Sequence, residues 1–326
     1  MYDFIIIGSG TSGLSAGMYA ARLNLKTLIV GEQPGGLITT THAIENWPGT
    51  LSINGFDLGM AFLEHAKKAG AEFKNEKVLS VKLANSLDYE KHDEEAKENA
   101  ESRNIPEKPT YLVKTASSEY EGKSILFATG TKHKGLDAPG IKEFENKGVS
   151  YCALCDGAFY KGKIVCVVGG GDSAAKEAIF LSQHAEKVYI IVRRDVLRAE
   201  PKNQKLIDES KNIKILFNTE IAEVLPDESG KKVGKIKLLT GGKEGETIPM
   251  DGIFLAIGHV AQTELAEDLG VMLNEKSEIK ITRHSETNLP GVYAAGDCTD
   301  NEFKQVITGS AAAVTAACYA FKYVNG

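Results

Sequence analysis

The N-terminal segment combines short apolar runs with a helical pattern of apolar and polar positions. An apolar run at Phe4–Ile7 leads into a glycine-rich stretch, Gly8–Gly13, and then into a helical pattern that ends near Leu23. A second apolar run, Thr27–Val30, follows. Short apolar runs on either side of a helical pattern predict two parallel strands joined by a helix, which is a βαβ unit.

The turn between this first strand and its helix has the spacing G-x-G-x-x-G. Gly8 allows the tight turn, Gly10 lets the backbone approach a pyrophosphate, and Gly13 lets the helix pack closely on the strand. The helix N-terminus offers free N–H groups to phosphate, and Glu32 offers a carboxylate to a ribose. A glycine turn alone also occurs without a ligand. Strand, helix, second strand and acid together predict a dinucleotide site.

The same pattern recurs in the second half of the chain. The apolar run Lys163–Val168 leads into Gly169–Ala174, and a helical pattern follows through about Gln183. The next apolar run, Lys187–Val192, is the second strand of the unit. We therefore predict a second dinucleotide site.

In the second site, basic residues follow the second strand, whereas in the first site an acidic residue follows it. Arg193, Arg194 and Arg198 lie within six residues of one another after the strand. The guanidinium group is a planar donor fork suited to phosphate, so this cluster predicts the 2′-phosphate of NADP. The alternative is a solvated basic turn without a ligand. An acid after the strand of the first site and arginines after the strand of the second predict that the first site binds FAD and the second binds NADPH.

The C-terminal segments return to the first domain. A strand predicted at Gly252–Gly258 ends the second unit, and Gly291–Asp297 then provides an acid after a strand, placed to bond a flavin's ribityl hydroxyls. We expect an α/β fold of two Rossmann-like three-layer domains, with the second inserted into the first. The FAD-binding domain is predicted at residues 1–133 and 262–326, and the NADPH-binding domain at 134–261. Hinges are expected near 131–135 and 258–262.

Composition narrows the class of protein. Of the 326 residues, 42% are hydrophobic and 25% are charged, as in ordinary globular proteins. The net charge of −6 argues against nucleic-acid binding. No apolar run reaches membrane-spanning length, and the chain enters a strand directly after Met1, so we expect a cytoplasmic protein that binds no membrane.

A close cysteine pair carries the candidate chemistry. Cys152 and Cys155 have the C-x-x-C spacing of a redox disulfide, and a helix N-terminus there favours thiolate. Asp156 follows directly and is placed to protonate a departing thiolate. A structural zinc site would need further ligands, and the spacing of Cys166, Cys298 and Cys318 is not that of zinc ligands. We therefore predict redox chemistry and no metal.

Nearly end to end, the chain resembles the low-molecular-weight thioredoxin reductases of bacteria and archaea. The pair lies in the inserted domain, which distinguishes this family from other flavoenzymes with two Rossmann domains. The motifs that carry the resemblance are Gly35-Gly36, Glu45-Asn46-Trp47-Pro48-Gly49, Ala128-Thr129-Gly130, Cys152-Ala153-Leu154-Cys155-Asp156-Gly157, Gly169-Gly170-Gly171-Asp172-Ser173-Ala174, Arg193, Arg194, Arg198, Gly258-His259 and Gly296-Asp297.

The resemblance implies a homodimer that passes electrons from NADPH through FAD to the Cys152–Cys155 disulfide and on to thioredoxin. It also implies rotation of the inserted domain, with Cys155 facing the flavin and Cys152 attacking the partner. The FAD residues it implies are Gly8, Ser9, Gly10, Gly13, Glu32, Gly36, Asn46, Thr129, Gly130, Asp297, Gln305 and Val306, the last two before a helix expected at about Gly309–Tyr323. The NADPH residues are Gly169, Gly171, Asp172, Ser173, Arg193, Arg194 and Arg198.

The sequence departs from the family's pattern at several positions. Leu37 stands where Gln is usual, Lys304 where Arg is usual, and Val192 where His is common. Gln262 ends a crossing that lacks the usual Pro-Asn, which predicts a looser hinge. An insertion at residues 85–110 has eight acidic and four basic residues and predicts a mobile loop, with partner docking as the alternative.

Alternative functions remain at this stage. The disulfide partner is thioredoxin or a thioredoxin-like protein by resemblance, but a glutaredoxin-like or peroxidase protein suits the same chemistry. Electron input from ferredoxin is disfavoured by the glycine turn and the three arginines. A flavin-binding redox sensor switched by the Cys152–Cys155 bond is the alternative from another class.

Overall fold

The computed structural model describes residues 1–41, 44–84 and 108–326, without the side chain of Cys155. The chain separates into two compact units, and the first is discontinuous: it comprises Met1–Lys132 and Ala261–Gly326, whereas the second comprises His133–Val260. These bounds differ by one residue from the predicted 1–133, 262–326 and 134–261. Most of the predicted insertion, residues 85–107, lies outside the described residues.

The elements are named in chain order. The strands are β1 Tyr2–Ile7, β2 Thr27–Val30, β3 Glu72–Lys74, β4 Val78–Leu83, β5 Tyr111–Thr115, β6 Glu119–Phe127, β7 Thr131–His133, β8 Val149–Ser150, β9 Ile164–Val168, β10 Lys187–Ile191, β11 Ile213–Leu216, β12 Thr219–Pro226, β13 Val233–Thr240, β14 Lys243–Pro249, β15 Gly252–Leu255, β16 His259–Ala261 and β17 Val292–Ala294. The helices are α1 Thr11–Arg22, α2 Gly55–Ala69, α3 Ala153–Asp156, α4 Asp172–Ser182, α5 Pro201–Glu209, α6 Glu264–Leu269 and α7 Val306–Asn325.

The first unit is built on a seven-stranded sheet in the order β3-β2-β1-β6-β5-β4, with β17 also paired to β6. Strands β3, β2, β1, β6 and β17 are parallel, whereas β4 and β5 pair in antiparallel fashion. Apolar side chains of β1 alternate between two cores: Ile5 and Ile7 face one, and Phe4 and Ile6 face the other. The continuous apolar runs of the sequence are therefore strands buried on both faces.

Helix α7 packs on α1 over one of these faces through small residues, including Ala313, Ala316 and Ala320. It begins at Val306, three residues before the predicted Gly309. The reason is a capping box in which the Gln305 side chain and the Thr308 side chain each bond the other's backbone. Among the described residues, no helix is long and apolar enough to cross a membrane.

The second unit contains a five-stranded sheet, β11-β10-β9-β15-β8, in which all the pairs are parallel. An antiparallel three-stranded sheet, β12-β13-β14, packs over one face, with Ile221, Val224 and Ile236 in the shared core. Helix α4 covers the other face, where Ala174, Ala178 and other small residues let it approach the strands. The alternation of strand and helix produces the parallel sheet that the sequence predicts.

Candidate functional site

The first glycine turn joins β1 to α1. Gly8 has φ +113°, and a Cβ built on it would lie 2.2 Å from the carbonyl oxygen of Ala128. A Cβ on Gly13 would lie 2.0 Å from the carbonyl oxygen of Gly8. At Gly10, by contrast, the nearest protein atom would be 3.9 Å away, at Gly36. Two of the glycines are therefore needed by the protein's own packing, and the third leaves open space.

This open turn fits the pyrophosphate of a dinucleotide. The Ser9 hydroxyl is buried and has no hydrogen-bond partner among the described residues. Such an orphaned hydroxyl costs free energy unless a ligand bonds it. Glu32 is exposed just beyond β2, on the parallel neighbour of β1. The residues present therefore fit the predicted FAD, whose assignment to them stays a prediction.

Other predicted FAD residues lie far apart in sequence but meet in the first unit. Asn46 Nδ2 donates to Gln305 Oε1 at 2.8 Å, across 259 positions. Gly309 brings the N-terminus of α7 close to α1, because a Cβ on it would lie 2.6 Å from Ser12 Oγ and 3.2 Å from Gly296 Cα. The helix starts and the end of β17 thus gather at one place, with Val306 in the first turn of α7.

Lys304 holds the segment that contains Asp297. Its Nζ donates to the carbonyl oxygens of Asp297 at 2.9 Å and Thr299 at 3.1 Å, and it pairs with the Glu278 carboxylate. A lysine with three donors satisfies this set of three single acceptors without a guanidinium fork. The replacement of the usual Arg therefore has a structural role in this chain.

Gln262 holds the segment that contains Thr129 and Gly130. Its backbone N–H donates to the Gly130 carbonyl at 2.9 Å, and its Nε2 donates to the Thr129 carbonyl at 2.9 Å. The Thr129 hydroxyl in turn donates to the Gln262 carbonyl. The absence of Pro-Asn predicted a looser crossing here, and no pattern in the sequence indicated these bonds. Gly130 itself has φ +63°, with no protein atom within 4 Å of a built Cβ.

The second glycine turn joins β9 to α4 and repeats the geometry of the first. Gly169 has φ +148°, and a Cβ on it would lie 2.2 Å from the carbonyl oxygen of Ala256. At Gly171 no protein atom would lie within 4 Å. Ser173 is exposed in the first turn of α4. The turn therefore leaves the same open space at its second motif glycine.

The arginine cluster lies against this turn. The backbone N–H of Arg198 donates to the Gly170 carbonyl at 2.7 Å, which fixes the loop beside the glycines. Arg193, Arg194 and Arg198 are exposed, and none of them takes part in an ion pair within the described part of the chain. The cluster therefore fits a phosphate ligand, although its assignment to NADPH stays a prediction.

Asp172 is engaged inside the protein. Its Oδ1 accepts from the Glu200 backbone N–H at 3.0 Å and from Asn203 Nδ2 at 2.7 Å, and its Oδ2 pairs with Lys176 at 2.7 Å. Although partial burial opposes it, these bonds and the charge of Lys176 lower the pKa of the carboxyl. The side chain therefore anchors the start of α5 to α4. Its predicted contact with NADPH stays a prediction.

Cys152 directly precedes the single helical turn α3, and Cys155 lies within this turn. The Asp156 N–H donates to the Cys152 carbonyl at 3.2 Å, and Ser150 Oγ accepts from the Cys152 N–H at 3.1 Å. Cys152 is half-buried and disulfide-bonded. Its pairing with Cys155 stays a prediction, because the Cys155 side chain is not described.

Asp156 borders a small cavity beside this turn. The cavity has a volume of about 170 Å³ and is also lined by Ser150, Phe159 and Tyr160. Burial, together with the charge of Asp156, raises the pKa of the Tyr160 hydroxyl. Phe159 is 79% exposed. Phe159 was not among the predicted site residues, although its place as an aromatic residue soon after the C-x-x-C motif could have indicated it.

Two of the remaining cysteines are sequestered. Cys166 and Cys298 are fully buried, and burial raises the pKa of both thiols. Cys318 is free and half-buried on α7. In the part of the chain that the structure describes, no group of three or more His, Cys, Asp or Glu side chains is arranged to hold a metal ion.

Comparisons with known proteins agree on one family. The model of the pyridine nucleotide-disulphide oxidoreductase family matches residues 2–313. Thioredoxin reductase of Bacillus subtilis is 37% identical over 313 residues, which cover 95% of this chain and 90% of that relative. The crystal structure of Lactococcus lactis thioredoxin reductase matches with a TM-score of 0.87 at 33% identity, covering 100% of this chain and 99% of that one.

A second solved structure, the thioredoxin reductase of T. acidophilum, matches with a TM-score of 0.84 at 32% identity over 98% of both chains. The family model's residues 2–313 and the Lactococcus lactis match over 100% of this chain both contain the two glycine turns and the C-x-x-C segment. The chain therefore belongs to the pyridine nucleotide-disulphide oxidoreductase family and, within it, to the low-molecular-weight thioredoxin reductases.

Proposed function

We propose that this protein is an NADPH-dependent thioredoxin reductase that contains FAD. One observation carries the proposal: a disulfide-bonded Cys152 lies in the same unit as the glycine turn bordered by arginines, and the other unit has a second glycine turn bordered by Glu32. A reductase of this kind needs a nicotinamide site, a flavin site and an exchangeable disulfide. The sequence relatives named thioredoxin reductase support the choice of partner.

The first unit would hold FAD. Gly10 and the orphaned Ser9 hydroxyl would bind the pyrophosphate, and Glu32 the ribose. The Asn46–Gln305 pair and the Asp297 segment lie where the N-termini of α1 and α7 gather. When bound, FAD supplies two-electron chemistry between a nicotinamide and a disulfide.

The second unit would hold NADPH. The open space at Gly171 and the N-terminus of α4 would receive the pyrophosphate. Arg193, Arg194 and Arg198, exposed and without ion pairs among the described residues, would bind the 2′-phosphate. A nucleotide without that phosphate would leave these guanidinium groups in solvent, so the cluster supports NADPH over NADH.

Thiol–disulfide exchange would use the cysteine pair and Asp156. By resemblance, the Cys152 thiolate attacks the partner disulfide, and the Cys155 thiol then closes the intramolecular bond. Asp156 gives a proton to the thiolate that leaves. Phe159, 79% exposed and lining the same cavity as Asp156, offers an apolar contact to a protein partner.

The cycle also requires a rotation of the second unit. A nicotinamide and the disulfide both need the same flavin face, so they must reach it in turn. The resemblance further supports a homodimer, which sedimentation equilibrium tests. The free thiols Cys166, Cys298 and Cys318 support a reducing compartment such as the cytoplasm.

The test is NADPH oxidation by the purified flavoprotein with oxidised thioredoxin as acceptor. We expect Cys152→Ser and Cys155→Ser each to abolish thioredoxin reduction while NADPH still reduces the flavin. Undiminished thioredoxin reduction by either variant contradicts the mechanism. Turnover with a glutaredoxin-like or peroxidase protein alone reassigns the partner, electron input from ferredoxin alone reassigns the donor, and absence of turnover with all of them favours the redox sensor.

A further inference from the structure

Glu177 is a half-buried acid, and one of its carboxylate oxygens is fully buried. It lies on α4, and its Oε2 has no partner among the described residues. Burial raises the pKa of its carboxyl to about 7. The orphaned Ser9 hydroxyl is accounted for by the proposed FAD site, but neither proposed nucleotide site accounts for Glu177.

The course of the chain brings the cysteine turn alongside Glu177. The Gly162 N–H donates to the His184 carbonyl at 2.9 Å. Five residues before Gly162, a Cβ on Gly157 would lie 3.0 Å from the ring of Phe180, which is four residues before His184. The chain from 157 to 162 therefore runs in the same direction as α4. The preceding turn, α3, also packs on α4. The shared direction implies that it lies one helical turn nearer to the α4 N-terminus, at the level of Glu177.

Glu177 also lies on the face of α4 that points to this turn. It precedes Phe180 and Leu181 by three and four positions, so the three residues share a helix face. The Gly157 Cβ position lies 3.0 Å from Phe180 and 3.2 Å from Leu181 on that face. Ala153, the first residue of α3, packs in the same apolar cluster as Ala174 and Ala178 of α4.

Among the described residues, the other elements that pack on α4 present mainly apolar side chains, together with the titratable Tyr160 from the segment after α3. Strands β9 and β10 present Val165, Val167, Val188 and Ile190 to this helix, and α5 presents Ile207. Burial raises the pKa of the Glu177 carboxyl, and no charged neighbour among the described residues contributes to this shift. The titratable groups beside α4 in the described chain therefore come from the segment 152–160: the cysteine pair, Asp156 and Tyr160.

We propose that Glu177 holds the proton that the Cys152–Cys155 pair exchanges when it changes between disulfide and dithiol. This role rests on the proposed disulfide reductase function and deepens it. Asp156 borders the cavity that contains the exposed Phe159, where a partner's sulfur would leave. Glu177 lies on the helix that packs against the same turn and would serve the pair's own sulfur.

The exchange balances as follows. The Glu177 carboxylate takes the proton of one thiol, and the resulting thiolate attacks a sulfur of the partner disulfide. The partner's S–S bond breaks as the mixed disulfide forms, and its departing thiolate takes a proton from solvent through Asp156. The second thiol of the pair then displaces the partner and passes it a proton. The partner has gained two electrons and two protons, the pair is again a disulfide, and Glu177 returns its proton to solvent.

The first test is the pH profile of thiol reactivity in the flavoprotein reduced with dithiothreitol. Iodoacetamide alkylation of the pair, followed by peptide mass spectrometry, reports the thiolate. We expect two steps in the wild-type profile, since a carboxyl and a thiol that share a proton titrate as a coupled pair. Glu177→Gln should show one step, with the upper step displaced downward by about one pH unit or more. The control Glu186→Gln, at an exposed position just after α4, should match the wild type.

A second measurement does not depend on the folding of a variant. Infrared difference spectra of the wild type, oxidised against dithiothreitol-reduced, should show a change in a protonated carboxyl band that moves on ¹³C labelling of glutamate. Labelling glutamate separates this signal from that of Asp156. Superimposable alkylation profiles for folded Glu177→Gln and the wild type, or no glutamate band, overturn the proposal. Because dithiothreitol replaces both NADPH and thioredoxin, either result is distinct from a failure of the proposed function, which shows as absent turnover.

Discussion

The two glycine turns have the same backbone but different surroundings. A Cβ on Gly8 and a Cβ on Gly169 would each lie 2.2 Å from a carbonyl oxygen of a neighbouring strand end, Ala128 or Ala256. Beyond the following strand, the first turn has an acid, Glu32, and the second has three arginines. The glycine turn thus suits the pyrophosphate of any dinucleotide, and the residues after the following strand distinguish one dinucleotide from another.

The largest effect should come from alanine substitutions in the first glycine turn, at a glycine in close contact with the protein rather than at one that leaves open space. Gly13→Ala should destabilise the flavin-free protein by roughly 3 kcal/mol or more, because its Cβ would lie 2.0 Å from the Gly8 carbonyl oxygen. Gly10→Ala should cost the flavin-free fold little and should instead weaken FAD binding. Urea denaturation and flavin content measure the two effects. Equal destabilisation by both substitutions contradicts the comparison.

The helices that follow the turns differ at one matched position. Ala16 and Glu177 each lie eight residues after the first glycine of their turn. The folded pKa of Glu177, about 7, exceeds the ordinary value of 4.5, so the folded state holds the proton more tightly than the unfolded state. This contribution to stability is complete below pH 4.5 and is lost as the pH rises through 7.

Glu177→Gln should therefore gain about 3 kcal/mol in unfolding free energy relative to the wild type between pH 4.5 and pH 8. Urea denaturation at several pH values measures the difference. The exposed control Glu186→Gln should keep a constant offset from the wild type. A constant offset for Glu177→Gln as well would show that this carboxyl is not buried as a protonated acid.

The strand ends should differ in nucleotide choice. Arg193→Ala combined with Arg194→Ala should raise the KM for NADPH roughly 100-fold or more, because charge-assisted bonds to phosphate are worth about 1.5–3 kcal/mol each and two are lost. The KM for NADH should change much less. Lys202→Ala, an exposed cation on α5, is the control. Equal losses with NADPH and NADH would mean that the cluster does not recognise the 2′-phosphate.

The smallest effect concerns Asp172, the first residue of α4. Asp172→Ala removes its bonds to Glu200, Asn203 and Lys176 and should cost about 2 kcal/mol, whereas Asp172→Asn should cost under about 1 kcal/mol. The lowered pKa means that the carboxylate stabilises the fold at neutral pH and ceases to do so as the pH falls through that pKa. Urea denaturation measures both, and unchanged stability with weakened NADPH binding would reassign Asp172 to the nucleotide.

The features that the sequence predicts well are formed by contiguous stretches of the chain. The glycine turns, the βαβ units, the arginine cluster and the C-x-x-C turn each depend on neighbours within a few positions. Their periodicity and spacing were sufficient to predict the fold class, which the family matches confirm, whereas the ligands and roles assigned to these residues stay predictions.

The remaining features depend on tertiary packing. The Asn46–Gln305 bond joins residues 259 positions apart, and the bonds of Gln262 cross 131 positions or more. Asp172 and Glu177 look alike in sequence as acids of one helix. Asp172 pairs with Lys176, whereas Glu177 has a buried oxygen without a partner among the described residues, because the two acids point in different directions around α4. No local pattern distinguishes them.

The most direct test of the central claim is anaerobic stopped-flow absorbance at the flavin band. The oxidised flavoprotein is mixed first with NADPH and then with oxidised thioredoxin. We predict that NADPH bleaches the band, that thioredoxin restores it, and that Cys152→Ser or Cys155→Ser prevents the recovery but not the bleaching. A flavin that NADPH does not bleach, or a recovery with thioredoxin that persists in both serine variants, would contradict the account.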